Sequence, residues 1–450
     1  MDTKYDALLQ VVEDHKDTIL AAERYIWNNP EPGYREWKTH AYMKQQFEAL
    51  GYTVTEVGNI PGFYVDLNTG RPGPKLAIFA EMDSLIVASH PECDPETKAV
   101  HSCGHNCQCA AMLGIAAALK SEGALEDLSG SIRLIVVPAE ELIEVGFRKQ
   151  LQKDGVIRYM GGKQEFMYRG ILDGVDLSMM VHTGNSVGIS CQNGSNGCIT
   201  KTATFIGKGA HAGGTPHLGI NALYAANCAM QAANALRETF KDSEQIRFHP
   251  IITAGGDSVN AIPEKVVVES YVRGATMEAL ARESTNMNRA FAGAAAAMGC
   301  RLILSDEHGY APRNNDSLMQ DVFADAAKGL FDEKDIHMHH GWSGGCSDMG
   351  DVCCVMPAVH PHIGGATGAA HSSEYYVTDP YSACILSAKV QVGAAARMLE
   401  KDAAIAKQII AAAGPYPTIR EYLDMIDKNC YNGEAVTYNE DGTIELKYSN

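Results

Sequence analysis

The sequence lacks an excess of basic residues. Its 450 residues include 37 Lys and Arg against 55 Asp and Glu, which gives a formal net charge of -18 at pH 7. Binding to nucleic-acid phosphates or to an anionic membrane surface needs a basic face, so this balance argues against both kinds of partner. A small anionic substrate remains compatible with it, because a few local donors and a metal ion can outweigh the overall charge.

The sequence also lacks an apolar run long enough to span a bilayer, and "MDTKYDALLQVVEDHKDTIL" has no charged-then-apolar leader pattern. The 13 cysteines are scattered, several within apolar runs, as Cys228 and Cys384 are, which indicates reduced and buried thiols. We therefore expect a cytoplasmic protein. With 46% hydrophobic and 20% charged residues, a chain of this length is expected to form two or more globular domains.

Strongly apolar segments alternate with helical ones in the first half of the chain. The segments "KLAIFAEMD", "SIRLIVVPAEE" and "LSMMVHTG" predict strands of an α/β sheet covered on both faces. Between about residues 196 and 308 the order changes to β-α-β-β-α-β, which is typical of a ferredoxin-like α+β domain. The sequence therefore predicts a discontinuous domain of residues 1–195 and 309–450, interrupted by an inserted domain of residues 196–308.

Charged or metal-binding side chains end three of the predicted strands. Asp83 ends the first, Glu140 and Glu141 end the second, and His182 ends the third. Ligands of open α/β sheets bind where the carboxyl ends of the strands meet, so these side chains are expected to share one crevice. One of two adjacent glutamates can bind a metal while the other acts as general base. The alternative is a pair of solvated acids at a helix start, where negative charge suits the helix dipole.

The stretch "HSCGHNCQC" adds Cys103 and His105 to this set. A zinc ribbon needs a second cysteine knuckle, and the next cysteine is Cys191. A disulfide conflicts with the cytoplasmic expectation, and the cysteine spacings differ from the Cys-x-x-Cys of redox pairs. Cys103 and His105 are therefore predicted to be two ligands of a metal whose other ligands come from elsewhere. Mixed Cys, His and Glu ligands suit zinc, and manganese and cobalt are compatible with them.

Nine motifs occur in an order that resembles the dinuclear-metal amidohydrolases of the aminoacylase family, between about residues 22 and 400. They are "ERYIWNNPEPGYRE", "FAEMDSL", "HSCGHN", "VPAEEL", "MMVHTG", "FIGKGAHAGGTPHLGINAL", "VNAIPEK", "SDMGDV" and "AAHSSEYY". The most similar branch holds p-aminobenzoyl-glutamate hydrolases, related dipeptidases and indole-acetyl-amino-acid hydrolases. The resemblance implies a zinc-peptidase-like catalytic domain, mainly parallel in its sheet, with a lid domain that forms a homodimer.

The resemblance also implies two divalent metal ions per subunit, most commonly zinc or manganese. The implied ligands are a bridging Cys103, then His105 and His182 on one ion, and Glu141 and His371 on the other. Glu140 would be the general base that activates water and then protonates the leaving amine.

Four further residues have implied roles around these ligands. Asp83 would support the metal site. His211 of the lid would stabilise the oxyanion in the partner protomer's site, and Asn260 would contact substrate. In "GGCSDMG", Ser347 is a second candidate for substrate contact, together with Asp348.

Two positions depart from the family pattern, which usually reads Cys-Gly-His-Asp followed by a histidine two residues later. Asn106 and Gln108 stand there instead. Residues 144–173 also form a longer segment than in compact members. The expected function is hydrolysis of the amide bond of an N-acyl amino acid, a dipeptide or a p-aminobenzoyl-glutamate-like small molecule. The alternatives are a metal-impaired binding or regulatory protein, and an N-deacetylase or aminopeptidase that keeps the metals.

Overall fold

The computed structural model describes residues 3–447, which divide into two compact units. The larger unit runs to residue 194 and then comprises residues 314–342 and 347–419. The smaller unit comprises residues 195–313, residues 343–346 and the chain from residue 420 onward. Among the described helices, none is both long and apolar enough to cross a bilayer.

The described α-helices are numbered in chain order. They are α1 (Thr3–Asp14), α2 (Lys16–Trp27), α3 (Trp37–Ala49), α4 (His105–Lys120), α5 (Val145–Lys153), α6 (Gly162–Tyr168), α7 (Ala222–Ala235), α8 (Met277–Ala297), α9 (Ser317–Ala327), α10 (Met349–Cys353), α11 (Ser387–Ala413) and α12 (Ile419–Lys428). Helix α11 is interrupted by non-helical backbone at residues 400–403.

The described β-strands are numbered in the same way. They are β1 (Thr55–Glu56), β2 (Phe63–Asn68), β3 (Lys75–Glu81), β4 (Leu85–Ile86), β5 (Ala99–Val100), β6 (Ser131–Val137), β7 (Leu177–Met179), β8 (His182–Thr183), β9 (Ile189–Ser195), β10 (Gly197–Ile206), β11 (Arg247–Phe248), β12 (Ile251–Ala254), β13 (Lys265–Gly274), β14 (Arg301–Tyr310), β15 (Arg313–Asn314), β16 (Ile336–Ser343), β17 (Ala358–Val359), β18 (His362–Ile363), β19 (Ala366–Thr367), β20 (Tyr376–Val377), β21 (Tyr431–Tyr438) and β22 (Ile444–Leu446).

The main sheet of the larger unit has the strand order β1-β2-β6-β3-β7-β17. Strands β6, β3, β7 and β17 pair in parallel, and β2 and β1 add an antiparallel edge. From their second residues onward, β3 and β6 are buried throughout, as expected for strands covered on both faces. The predicted α/β class with a mainly parallel sheet is confirmed.

Helix α4 is the central helix of the larger unit and packs against α1, α2 and α11. All its residues except the last are buried, because the run "CAAMLGIAAA" lets neighbouring helices approach closely. At Gly114, for instance, an added Cβ would lie 2.8 Å from Ile19 Cδ1. The helix starts at His105, so its amino end lies next to the Cys103 loop.

The smaller unit contains an antiparallel sheet in the order β11-β13-β10-β14-β21-β22, with β12 also paired to β13. Alternate residues of β13 are buried, and helices α7 and α8 pack against β10 and β13. One face of the sheet is thus covered by helices. The elements from β10 to β14 follow the predicted β-α-β-β-α-β order, except that the predicted strand "IRFHPIITAG" is divided into β11 and β12.

The carboxyl-terminal segment differs from its predicted assignment. The sequence analysis assigned all of residues 309–450 to the larger domain, whereas the chain from residue 420 onward groups with the smaller unit. Strand β21 pairs with β14, placing Val436 opposite Leu302, and both side chains are buried in the same core. The physical reason is that β21 covers an edge of β14 that would otherwise leave unpaired backbone groups.

We predict that Val436→Ala lowers the free energy of unfolding of the smaller unit by about 2 kcal/mol, because it leaves a cavity beneath the sheet. Hydrogen exchange of the β14 amides should accelerate accordingly. Asn432→Ala changes an exposed residue on the same strand and is the control. Equal exchange rates in the two variants would contradict the core position of β21.

Candidate metal centre

The adjacent glutamates follow a tight turn at the end of β6. Ala139 has a φ of 58°, in the left-handed region, and its amide donates a hydrogen bond to Glu36 Oε1 at 2.8 Å. After this turn Glu140 and Glu141 are only 8% and 7% exposed. The pair is therefore directed into the protein, and the alternative of two solvated acids at a helix start is excluded.

The carboxylate of Asp83 connects the carboxyl ends of two strands. Its Oδ1 lies 3.1 Å from His105 Nδ1, and its Oδ2 accepts a hydrogen bond from the Glu141 amide at 2.7 Å. The Asp83 carbonyl oxygen also lies 2.9 Å from His105 Nδ1. These acceptors favour a proton on Nδ1, which leaves Nε2 of His105 available as a ligand atom.

Candidate ligand atoms converge in groups that share Cys103. Those of Cys103, His105 and His182 lie within 4.8 Å of one another, and so do those of Cys103, Glu141 and His371. The Cys103 Sγ to His182 Nε2 distance is 3.4 Å. Thr183 O lies 2.7 Å from His182 Nδ1, which again leaves Nε2 to face the cluster.

His371 approaches the cluster from a separate loop. Its Nε2 lies 3.2 Å from Glu141 Oε1, and its amide donates to Ser102 O at 2.9 Å. The residue has a φ of 65°, and its side chain is 53% exposed. A left-handed φ at a residue other than glycine costs free energy, and such strain concentrates at functional sites. His371 thus lies on the open side of the cluster, where a substrate could enter.

The surroundings of the cluster favour positive charge. Burial, together with the charges of Glu81 and Glu141, raises the pKa of Glu140 well above its usual range. Burial alone lowers the pKa of His105, but Cys103 and Glu81 outweigh it and raise the pKa overall. Burial opposes ionisation of Asp83 too, yet the hydrogen bond and charge of His105 lower its pKa to about 2. Buried acids and a thiol at this spacing suit bound cations, so the residues present fit a metal site.

A second acidic cluster lies beside the first and contains a lysine. Ligand atoms of Glu81, Glu140 and Asp348 lie within 4.8 Å of one another. The Lys163 ammonium forms short ion pairs with Glu81 and Asp348, and all three side chains are fully buried. Lys163 therefore already supplies the positive charge that this second cluster needs.

Helix α6 places Lys163 there by beginning very close to the β6 turn. The Gly162 amide donates to Ala139 O at 3.1 Å, and a Cβ on Gly162 would lie 1.7 Å from Pro138 O. Only glycine permits this approach. The longer segment 144–173 thus contributes a buried cation next to Glu140, which the sequence analysis did not anticipate.

Asn106 and Gln108, the two departures from the family pattern, bind buried carboxylates. Asn106 Nδ2 donates to Glu23 Oε1 at 2.8 Å. Gln108 Nε2 donates to Glu81 Oε2 at 2.7 Å, and its Oε1 accepts from the Glu81 amide at 3.3 Å. The side-chain amide of Gln108 therefore orients Glu81, whose Oε2 lies 3.2 Å from His105 Nε2.

Two of the predicted residues lie in the smaller unit. His211 is exposed, and its Nδ1 accepts hydrogen bonds from the Gly213 and Gly214 amides at 3.2 and 2.9 Å. Asn260 is also exposed, and its carbonyl accepts from the Ala212 amide at 2.9 Å. The two predicted lid residues are therefore neighbours on adjacent segments.

Ser347, the other candidate for substrate contact, is buried in the larger unit at the start of α10. Its hydroxyl oxygen accepts a hydrogen bond from the Met349 amide at 3.3 Å. The following residue, Asp348, pairs with Lys163 and thereby fixes this loop beside Glu140.

Glu81 and Lys163 were not among the predicted site residues. A signal for Glu81 was present, because residues two apart on a strand face the same side, as Glu81 and Asp83 do. For Lys163 the sequence offered only two glycines before a lysine, which does not reveal burial.

The chain is similar in sequence and in fold to known peptidases and hydrolases. Residues 193–297 match the M20 model of the peptidase dimerisation domain. Xaa-Arg dipeptidase of Mus musculus is 28% identical over 383 residues, covering 81% of this chain and 80% of that protein. The chain thus contains a segment similar to the peptidase dimerisation domain and is similar over most of its length to a dipeptidase.

Other similar proteins carry different names. One of the proteins of the p-aminobenzoyl-glutamate hydrolase of Escherichia coli is 28% identical over 287 residues, or 62% of this chain and 55% of that protein. A dinuclear metal-binding M20 peptidase of Bacillus subtilis superposes with a TM-score of 0.65 at 21% identity, covering 86% of this chain and 99% of that one. The latter likeness shows the shared fold.

We predict that Lys163→Met lowers the free energy of unfolding by about 3 kcal/mol, because it leaves Glu81 and Asp348 buried without a cation. Urea unfolding followed by circular dichroism measures the change. Lys153→Met, which alters an exposed lysine nearby, is the matched control. A loss no larger than that of the control would contradict the neutralising role of Lys163.

Proposed function

We propose that the protein is a metal-dependent amidohydrolase that cleaves the amide bond of a dipeptide or an N-acyl amino acid. The observation that carries the proposal is the convergence of a thiol, imidazoles and carboxylates from distant parts of the chain around Cys103. The match of residues 193–297 to the peptidase dimerisation model and the dipeptidase and hydrolase names of its relatives support the same reaction class.

In this proposal Cys103 would be common to two groups of residues that hold divalent cations, most suitably zinc or manganese. The other residues of these groups would be His105 and His182 in one and Glu141 and His371 in the other. When bound, the cations would polarise the scissile carbonyl and lower the pKa of a water molecule. The Asp83 carboxylate accepts hydrogen bonds from His105 Nδ1 and from the Glu141 amide. It therefore keeps these two proposed ligands oriented.

Glu140 is the proposed proton carrier. It would accept the proton of the attacking water and return it to the leaving amine. Burial and the charges of Glu81 and Glu141 raise the pKa of Glu140, which is the direction that favours a carboxyl carrying a proton. Lys163 pairs with Glu81 and Asp348, so it orients the acids next to Glu140.

The smaller unit is proposed to act as lid and dimer interface. Its match to a peptidase dimerisation model supports a homodimer. His211 would then donate a hydrogen bond to the oxyanion in the partner's site, and Asn260 and Ser347 would contact substrate. None of the 13 cysteines, all of which lie among the described residues, forms a disulfide, as expected for the proposed cytoplasmic location.

The proposal is tested by metal analysis and a hydrolysis screen on the purified protein. The screen contains dipeptides with basic, acidic and neutral carboxyl-terminal residues, N-acyl amino acids and p-aminobenzoyl-glutamate. Turnover that is lost on chelation and restored by zinc or manganese is the expected result. Absence of both metal and turnover would favour the metal-impaired binding protein, and a strict need for an acetyl group would favour the deacetylase.

We predict that Glu140→Gln reduces turnover about 10³-fold, because the amide cannot carry the proton from water to amine. Metal content, measured by plasma mass spectrometry, should stay unchanged. Glu144→Gln alters a partly exposed glutamate of the same segment, paired with Arg35, and is the control. A Glu140→Gln variant with near-normal turnover would remove the assignment of Glu140 as proton carrier.

We predict that Cys103→Ala loses bound metal, since Cys103 is the residue common to both groups of candidate ligands. Cys191→Ala, which removes a buried thiol on β9, should keep the metal. Metal content after dialysis is the measurement. Full metal occupancy in Cys103→Ala would contradict the proposed role of Cys103 as a ligand shared by both groups.

A further inference from the structure

Two thiols outside the candidate metal centre form a pair within the smaller unit. Cys198, on β10, is buried, whereas Cys346, in the segment 343–346, is half-buried. Their side chains are hydrogen-bonded to each other. Cys346 is thus the more accessible of the two residues, and Cys198 is its hydrogen-bond partner.

An arginine contacts this pair. Arg273 on β13 is the register partner of Cys198, and its Nη1 lies 3.5 Å from Cys346 Sγ. The same Nη1 donates to Gly344 O at 3.3 Å, which holds the loop that carries Cys346. On the other side of β13, Arg247 is the register partner of Arg273. The thiols therefore lie in a locally basic environment of an acidic protein.

These contacts favour the thiolate of Cys346. The hydrogen bond from Cys198 lowers its pKa, burial opposes the change, and the charges of Arg273 and Arg313 add to the lowering. Cys430, a half-buried thiol of the same unit, has its pKa raised by burial to about 11. Partly exposed thiols in basic surroundings are the reactive class, while thiols with raised pKa values are inert.

We propose that Cys346 and Cys198 form a hydroperoxide-reactive thiol pair that closes to an intramolecular disulfide. The Cys346 thiolate attacks the peroxide, so that an S–O bond forms, the O–O bond breaks and hydroxide or alkoxide leaves. Cys198 then attacks the resulting sulfenic acid, the S–S bond forms, the S–O bond breaks and water leaves. The two thiols lose two electrons in total, and the hydroperoxide gains them.

The disulfide would join β10 covalently to the segment 343–346. That segment directly precedes Ser347 and Asp348 in the chain. The proposal does not depend on the amidohydrolase assignment, because its readout is the chemistry of the thiols.

The test treats the full-length protein with hydrogen peroxide, blocks the remaining thiols with N-ethylmaleimide, and measures intact mass and cross-linked peptides. The expected result is a product with two fewer labels, reversed by dithiothreitol, whose cross-linked peptide contains Cys198 and Cys346. A cross-link between other cysteines, or Cys346 reacting no faster than Cys430, would overturn the proposal.

Two cysteine variants separate the roles of the thiols. Cys198→Ser should stop at a sulfenic acid on Cys346 that dimedone traps, whereas Cys346→Ser should show neither the disulfide nor a trapped product. Cys430→Ser is the matched control and should form the disulfide normally. A disulfide of unchanged yield in Cys346→Ser would contradict the proposal.

Arg273→Lys and Arg273→Met test the role of the basic side chain. The methionine variant should slow alkylation of Cys346 severalfold, and the lysine variant should retain part of the rate because it keeps the charge. Near-ultraviolet circular dichroism verifies that both variants fold. Equal alkylation rates in the wild type and in a folded Arg273→Met would overturn the part assigned to Arg273.

Discussion

The carboxylate of Asp83 determines the geometry of the candidate metal centre. One of its oxygens faces His105 Nδ1 and the other accepts the amide of Glu141, so a single side chain sets the positions of two proposed ligands. The two partners lie on different elements, one at the start of α4 and the other after the β6 turn. The carboxylate is fully buried, so both interactions stabilise its ionised form. The positions of α4 and of the β6 turn are thereby coupled to the geometry of the site.

Charge balance distinguishes the two adjoining acidic clusters. Glu81 and Asp348 are paired with Lys163, a cation supplied by the chain itself, so no external ion is needed at that point. The group around Cys103 combines a thiol, imidazoles and the Glu141 carboxylate, a set of side chains that suits a bound cation. Gln108 also fixes Glu81 in position. Its amide nitrogen donates to the Glu81 carboxylate, and its amide oxygen accepts from the Glu81 backbone amide. An amide at this position is therefore compatible with an ordered metal site, whereas the sequence alone left open a metal-impaired protein.

Much of this arrangement could be predicted from the sequence. Apolar segments that end in Asp83, in Glu140 and Glu141, and in His182 predict a shared edge of a parallel sheet. Strands β3, β6 and β7 form that sheet, but β7 ends at Met179 and His182 lies on β8 of a separate sheet. The turn at Ala139 could not be predicted, because a left-handed φ at an alanine has no local signal and depends on the Glu36 carboxylate. The pairing of β21 with β14 was missed for a similar reason, since it joins strands more than a hundred residues apart in the chain.

The sequence by itself determined the fold class and predicted the side chains that converge around Cys103, because periodicity and strand ends are local properties. Only the tertiary structure decided that Lys163 neutralises one acidic cluster and that Cys198 lies against Cys346. Both facts depend on burial and on contacts between distant residues. Burial changes the free energy of a charge by several kcal/mol, and no local pattern of residues reports it.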